Sequence, residues 1–461
     1  MDDVLYYPIL VIVLLAAGLF FTVRTRLIQF RWFRECIRVV MQKPSKEGSV
    51  SSFQALMVST ASRVGTGNII GISTALCLGG FGSVFWMWAI AIIGGATAFI
   101  ESTLAQVYKR RDANGDSYGG PAYYIEIALH NKLLAGAFAF FLIITYAGGF
   151  NALASYNLQS TFSVYGFYEK GVTSWVIGAI LAVLVGYCLM GGGKRIMRVT
   201  EVLVPFMGVL YVILALVIIV MHIGMIPSVL SAVFADAFDF QKILGGISGS
   251  CMMYGIKRGL YSNEAGVGSA PNAAAAATTT HPVKQGLVQM LSVYIDTVIL
   301  CNATAFMCLV SGVPGNADNA GALWVQTSLH KVLGDFGPLF ITVSMLVFSF
   351  TTLIGNIYYC ENGLAYLNHK RIPSRGFMKG FHLYAVLVVF LGAIIPMAAA
   401  WDLADIMMGG MTLINLTACV LLGGVVVHAY EDYKKQKTAG LDPQFKGTSI
   451  GLKPEELDFW K

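Results

Sequence analysis

Two glycine-rich strings, Val64-Gly-Thr-Gly-Asn68 and Ala265-Gly-Val-Gly-Ser269, each interrupt a stretch otherwise apolar enough to cross a bilayer. An unsatisfied backbone amide or carbonyl costs several kcal/mol in hydrocarbon, so unwound backbone at mid-depth survives only where it lines a cavity or binds something. One Gly-x-Gly alone is more often a close helix contact. Two interruptions in corresponding positions of two halves point instead to the binding site of an inverted-repeat transporter. The first reading is therefore a carrier.

Composition supports the membrane class. The 461 residues are 56% hydrophobic and 12% charged, with a mean hydropathy of +0.68, more apolar surface than a soluble core can bury. Apolar runs recur along nearly the whole chain, so this is one polytopic domain in a lipid bilayer rather than a soluble domain with an anchor. The formal charge of +6 comes from basic residues beside the span ends, where they record orientation, and nucleic acid is not an expected partner. Cysteines such as Cys77, Cys188, Cys251, Cys301, Cys308, Cys360 and Cys419 are scattered singly without C-x-x-C spacing. They read as small buried side chains, and neither disulfides nor a metal cluster is expected.

The pattern predicts an all-α polytopic membrane protein with about eleven transmembrane helices. The first runs from Val4 to Val23, and its acidic start at Asp2 and Asp3 argues against a signal peptide. Others fall near 51–79, 82–107, 132–160, 172–190, 199–222, 242–280, 284–311, 337–368, 380–398 and 403–430. Leu27 to Val40, with Arg31, Arg34 and Arg38 interleaved, reads as an amphipathic helix on the cytoplasmic membrane surface. With eleven spans the basic groups Arg24 to Lys46, Lys109 to Arg111, Lys194 to Arg198, His369 to Arg375 and Lys434 to Lys437 share one side. That places the N-terminus outside and the C-terminus in the cytoplasm of a cell that carries the protein in its inner membrane.

Five helices separate the two interrupted spans, so the second copy enters from the opposite face and the core is a five-plus-five inverted repeat. Residues 51–222 form the first repeat and 242–430 the second. Residues 1–50 add an extra helix and the amphipathic segment. Residues 431–461 are a polar cytoplasmic tail, expected to be mobile, in which no function is read. A pseudo-symmetric core in one chain suits a monomer.

One broken helix offers two kinds of ligand. Restarting near Asn68, it presents free N–H groups and a positive dipole end suited to a carboxylate. Stopping at Ala61 to Val64, it presents carbonyls suited to a small cation such as Na+. Arg63, Glu101, Arg258, Glu264, Asp296 and Glu361 lie in or beside spans, where a charge is costly. Glu264 is expected to pair with Arg63 or Arg258 as a structural or gating contact. Asp296 sits mid-span with no basic residue near it in sequence, which suits either a cation contact or a protonated state.

Val64 to Asn68, Gly82 to Ser102, Tyr118 to Ile125 and above all Arg-Gly-Leu-Tyr-Ser-Asn-Glu-Ala-Gly-Val-Gly-Ser-Ala-Pro from Arg258 resemble the signatures of the alanine or glycine:cation symporter family. The resemblance implies import of a small neutral amino acid with Na+ as coupling ion, on the leucine-transporter fold. It implies that the amides of Thr66 and Gly67, with Asn68, Gly266 and Gly268, face the substrate. It further implies Na+ on the carbonyls of Ala61 and Val64 and the hydroxyls of Thr351 and Thr352. From the residues alone, those hydroxyls fit ordinary bonding to the preceding helical turn better; the resemblance tips them toward the ion. Two departures bear on substrate: Asn356 follows Gly355 where many members carry Trp, and Ala154 follows Asn151-Ala-Leu where many carry Gln. Both repolarise or widen a pocket, so glutamine and serine stand beside alanine and glycine.

Other classes fit less well. A serine protease could be argued from Gly246-Ile-Ser-Gly249, but no mid-membrane histidine follows as base. No H-E-x-x-H exists for a metalloenzyme, so no enzyme is expected. A channel would assemble its filter from a symmetric oligomer. An H+-coupled carrier differs only in the ion.

Overall fold

The computed structural model describes residues 9–42, 49–112, 115–169, 171–239, 241, 250–369, 371, 373–394 and 397–461. Asp2, Asp3, the start of the first expected span, Lys46, the string Gly246 to Gly249, the opening of the 242–280 span and Lys370 lie outside the described residues.

The chain is helical almost throughout. Val11–Arg24 (α1) is followed by a short turn of helix, Ile28–Arg31, and by Phe33–Val40 (α2). The first interrupted span comprises Ser52–Arg63 (α3) and Ile70–Thr74 (α4), followed by Ser83–Val107 (α5). A small hairpin, Arg110–Arg111 (β1) with Ser117–Tyr118 (β2), leads to Pro121–Leu129 (α6). Next come Lys132–Ile143 (α7), Asn151–Ser160 (α8), Val172–Leu189 (α9), Gly192–Met221 (α10) and Ile226–Ala237 (α11). The second interrupted span comprises Cys251–Asn263 (α12) and Ala270–Ala276 (α13). Pro282–Tyr294 (α14), Asn302–Leu309 (α15), Ala322–Leu333 (α16), Phe336–Leu367 (α17), Arg375–Gly392 (α18) and Met397–Thr438 (α19) complete the described helices. The turns joining α7 to α8 and α14 to α15 are π-helical, Ile144–Phe150 and Ile295–Cys301, a geometry frequent at functional sites.

Among the described residues, eight helices are long and apolar enough to cross a membrane. The expectation of about eleven also counts α1 and the two interrupted spans, none of which is an unbroken helix of that length among the described residues.

At the centre stands α5, packed against α14, α12, α13 and α1. Small residues let the backbones approach: an added Cβ on Gly255 of α12 would lie 2.5 Å from Ser83 O, and one on Gly259 would lie 2.7 Å from an Ile90 methyl. Around this core α10 and α18 present mostly exposed apolar faces, including Val202, Phe206, Val209, Ile213 and Val220, and Leu383, Leu387 and Leu391. Such faces belong against lipid.

The tail departs from expectation. Phe445, Leu457 and Trp460 are buried, and the Trp460 indole donates to Gln106 O at 2.7 Å. The polar composition suggested mobility; three spaced apolar anchors in it were enough to pack it.

Gly286 of α14 has no space for a methyl group: a Cβ would overlap Thr103 Oγ1 and come within 2.8 Å of Phe99 O. Gly286→Ala should therefore cost about 1–3 kcal/mol and visibly lower the thermal-unfolding midpoint in detergent. Gly136→Ala, inside a helix with nothing within 4 Å, should not lower it, since alanine is the better helix former.

Candidate binding site

A capping box starts α3, with Ser51 Oγ accepting from Gln54 N and Gln54 Oε1 from Ser51 N. The helix ends at Arg63, and a single tight turn, Thr66–Asn68, separates it from α4. Asn68 organises this break. Its Oδ1 accepts from Gly65 N at 2.9 Å, its Nδ2 donates to Asp296 Oδ1 at 2.8 Å, and its carbonyl accepts from Thr304 Oγ1 at 2.6 Å. Thr352 Oγ1 donates to Ala61 O at 3.1 Å. It lies so close to Gly65 that any side chain there would overlap it. The Gly67 backbone lies against the Tyr261 ring, about where a Cβ would sit at 3.0 Å.

The second break begins after α12, which Ser250 caps. Glu264, Gly266 and Gly268 all have positive φ, 52°, 87° and 90°, so the two glycines supply conformations that L side chains rarely adopt. Freed backbone groups find partners: Gly266 N donates to Glu101 Oε1 at 3.3 Å, while Asn415 Nδ2 donates to Gly266 O at 2.9 Å and Glu101 Oε2 at 2.7 Å. Tyr124 OH donates in turn to Asn415 Oδ1.

Buried side chains join the two breaks. Asp296, in the π-helical stretch, accepts from Asn68 at the first break and from Ser262 Oγ, just before the second, at 2.8 Å; Thr297 Oγ1 lies at 3.0 Å. A second chain runs from Asn151 Oδ1, which accepts from Asn356 Nδ2 at 2.9 Å, to Asn356 Oδ1, which accepts from Ser62 Oγ at 2.7 Å. Ser62 Oγ is 3.4 Å from Glu264 Oε1, and Glu264 Oε2 accepts from Ser269 Oγ at 2.6 Å. Asn157 Nδ2 donates to Thr66 Oγ1 at 3.0 Å. Two polar atoms of α8 remain without partners among the described residues: the donor Asn151 Nδ2 and the acceptor Asn157 Oδ1.

A row of tilted aromatic rings borders this cluster. Phe150 and Tyr261 have ring centroids 4.9 Å apart, Tyr261 and Trp401 4.7 Å, and the Arg258 guanidinium lies 3.8 Å over Trp401. Asp405 holds Lys257 at 2.9 Å and Arg258 at 3.7 Å.

Thr66, Gly67, Asn68, Asn151, Asn356, Asp296 and Thr352 are thus brought into one cluster, and Gly266 and Gly268 form the second break beside it. Ala61 and Val64 are buried where α3 ends. Thr351 is turned elsewhere: its hydroxyl donates to Val347 O and Phe348 O of its own helix. Ala154, buried and apolar, lies on α8 between Asn151 and Asn157. The expected pairing of Glu264 with an arginine is corrected. Arg258 pairs with Asp405, while Arg63 donates to Gln289 O at 3.3 Å, and its Nε and Nη2 have no hydrogen-bond partner among the described residues. Glu361 pairs with His382 at 3.0 Å. Sequence reasoning missed Asn157, Tyr261, Ser262, Trp401 and Asn415. Asn157 and Asn415 carried a signal, being amides in apolar spans, but the others are ordinary span residues until folded.

The family model described as the Sodium:alanine symporter family matches residues 1–447. The amino-acid carrier protein AlsT of Bacillus subtilis (strain 168) is 41% identical over 445 residues, covering 96% of this chain and 93% of the relative. The probable sodium/glutamine symporter GlnT of the same organism is 40% identical, covering 96% and 91%. Among solved structures, MhsT in complex with L-phenylalanine matches at a TM-score of 0.58 and 14% identity, covering 88% of this chain and 96% of that one. This likeness shows a shared fold, that of the leucine transporter.

The Asn151–Asn356 contact gives a stability test. Intramembrane hydrogen bonds contribute about 0.6 kcal/mol on average, and partners in one network are non-additive. Asn151→Leu and Asn356→Leu should each lower the unfolding midpoint in detergent, and the double variant should lose less than the two losses added. Strict additivity would show the amides act independently.

Proposed function

Because this chain belongs to the Sodium:alanine symporter family, we propose that it is a secondary carrier importing a small neutral amino acid with Na+ by alternating access. It is a transporter, not an enzyme. The reading takes the core as a five-plus-five inverted repeat with eleven spans, N-terminus outside and C-terminus in the cytoplasm, acting as a monomer.

The observation that carries the substrate assignment is the pair of unpartnered atoms on α8. Asn151 and Asn157 are each fixed by one hydrogen bond, to Asn356 and Thr66, and each keeps one buried polar atom free. Other buried polar atoms, such as those of Gln289 and Tyr359, also lack partners among the described residues, but these two lie on side chains bonded to the first break and to Asn356, where a donor and an acceptor suit a zwitterion with a polar or very small side chain. The amides of Thr66 and Gly67 would take its carboxylate, with the positive end of α4 contributing field. Asn356 and Ala154 set the room and polarity on the side-chain end, and the glutamine in GlnT's name keeps glutamine in the substrate class beside alanine, glycine and serine. Gly266 and Gly268 keep the backbone slim on the opposite side.

For the ion, the carbonyls of Ala61 and Val64 and the hydroxyl of Thr352 offer hard oxygens. Thr351 could join only by releasing its own helix. Asp296, with Asn68, Ser262 and Thr297, offers a second position where a buried carboxylate would meet a cation. The same carboxylate favours the second reading, H+ coupling, because it could take a proton instead. One charge entering down about 100 mV yields roughly 2.3 kcal/mol, and a tenfold Na+ gradient adds about 1.4 kcal/mol. Together these sustain a several-hundredfold amino-acid gradient.

Uptake into proteoliposomes tests this directly. Labelled alanine should accumulate under an inward Na+ gradient and not under an H+ gradient alone, and glutamine and serine should compete; accumulation driven equally by H+ would overturn the ion assignment. Thr352→Val should raise the Na+ concentration for half-maximal uptake about tenfold, the scale of one lost hydrogen-bonding ligand. Thr351→Val should change it less than twofold.

A further inference from the structure

The last residues have no place in the carrier reading, yet they are built into the molecule. Beyond α19 the chain turns back across the end where α5 stops and the second interrupted span leaves the core. On α5 and the hairpin that follows, Trp460 Nε1 donates to Gln106 O and Asp458 Oδ1 holds Arg110 Nη1 at 2.7 Å. Lys109 Nζ lies 4.7 Å from the Phe459 ring centre and 5.1 Å from that of Trp460, and Arg111 lies 4.4 Å from that of Phe459. On the segment between α13 and α14, Phe445 N donates to Thr280 O at 3.0 Å and Thr280 Oγ1 donates to Pro443 O at 2.8 Å, while at the start of α14 Asp442 holds Lys284 at 2.9 Å. Phe445 also packs on the His281 and Trp460 rings. The family match stops at residue 447, so Asp458, Phe459 and Trp460 lie past it.

The grip falls on the parts that must move. Thr278 N donates to Val50 O at 2.9 Å and Gln285 Nε2 to Ser52 Oγ at 2.8 Å, so the outgoing end of the second interrupted span is closed against the incoming end of the first. Beside this seam a cavity of about 360 Å3 is lined by Gln42, Ser52, Thr278, Lys284 and the tail's own Asp442. On the carrier reading, a path from the breaks to this face would require the seam to part. The tail ties one lip of the seam to α5 and the hairpin.

We propose that residues 441–461 are a strap that holds the cytoplasmic seam between the two interrupted spans closed, and that its release sets the rate of inward opening. The proposal rests on the carrier reading above. The strap is fit for release as well as for holding. Its two ion pairs, Arg110–Asp458 and Lys284–Asp442, are partly exposed, and the Lys109 ammonium is hidden behind two rings with Ala277 O as its hydrogen-bond acceptor. Burial, and secondarily the Arg111 charge, pushes its pKa down to about 7. Hiding a cation in this way opposes docking, which keeps the strap detachable. Loops and lids that detach in this manner commonly set turnover.

The test uses the full protein in proteoliposomes, with a truncation after Gly440, Asp458→Arg alone, and Asp458→Arg combined with Arg110→Asp. Truncation should raise Na+-driven uptake and counterflow threefold or more with the external KM unchanged. Asp458→Arg should give part of that gain, and the charge-swapped pair should return to the wild-type rate. Independently of transport, hydrogen exchange at Thr278 to Gln285 should quicken in the first two variants and not in the third. If the wild type transports but the variants show neither faster counterflow nor faster exchange, the strap is overturned while the carrier stands. A truncation that does not fold leaves the two charge variants to decide. No transport by the wild type under any gradient would overturn the carrier reading itself, with the exchange data still reporting on the strap.

Discussion

Asp296 is the group on which the two interrupted spans meet. A carboxylate at this depth is tolerated only if its oxygens are occupied, and here they accept from Asn68 of one break and Ser262 beside the other. Asn68 is itself held by Gly65 N and Thr304, so one side chain positions the turn Thr66–Asn68, and through it the amides proposed to meet the substrate. Asp296 lies at the start of the π-helical stretch, a geometry frequent at functional sites, and the residue that follows the stretch, Asn302, accepts from Trp88 Nε1 at 2.6 Å.

The second break is stabilised differently. Its two glycines at positive φ release backbone groups that Glu101 and Asn415 recover, one from α5 and one from α19. The first break is therefore held by groups that an ion or substrate could replace, whereas the second is held by a closed set, Tyr124 included, with little left to offer. This asymmetry supports the proposal that ligand recognition is concentrated at the first break and along α8, with the second break as a shaped wall. Satisfied networks of this kind rigidify, and a carrier needs one rigid partner against which the other moves.

Much of this was legible in the sequence because helix breaks in lipid have few causes. Glycine pairs in apolar runs announced both breaks, and the two departures at Ala154 and Asn356 pointed at residues that do lie along the cluster's α8 and α17 sides. What was not legible depends on rotation and on long-range pairing. Thr351 and Thr352 are adjacent, so sequence could not say which one faces Ala61; a helix turns about 100° per residue, and only Thr352 does. Arg258 found Asp405, which lies 147 positions along the chain in α19, because α12 and α19 converge near Trp401, a tertiary fact with no local signature. The tail was misjudged because composition averages over a segment, while docking needs only Phe445, Leu457 and Trp460 in the right places.

The two ends of the cluster are closed by different physics, and this gives the molecule a direction. On one border Phe150, Tyr261 and Trp401 pack at tilted angles beneath Arg258, with Asp405 drawing two cations together. Aromatic and cation–π contacts are short-ranged and shed water, so this border is compact. At the other end the seam is made of single hydrogen bonds, Thr278 to Val50 and Gln285 to Ser52, which alone would yield readily. A weak seam reinforced from outside by a strap can be adjusted without altering the binding cluster, since none of the strap's partners, from Gln106 to Lys284, belongs to it. Recognition and release are thereby placed on separate residues, and either can change while the other is conserved.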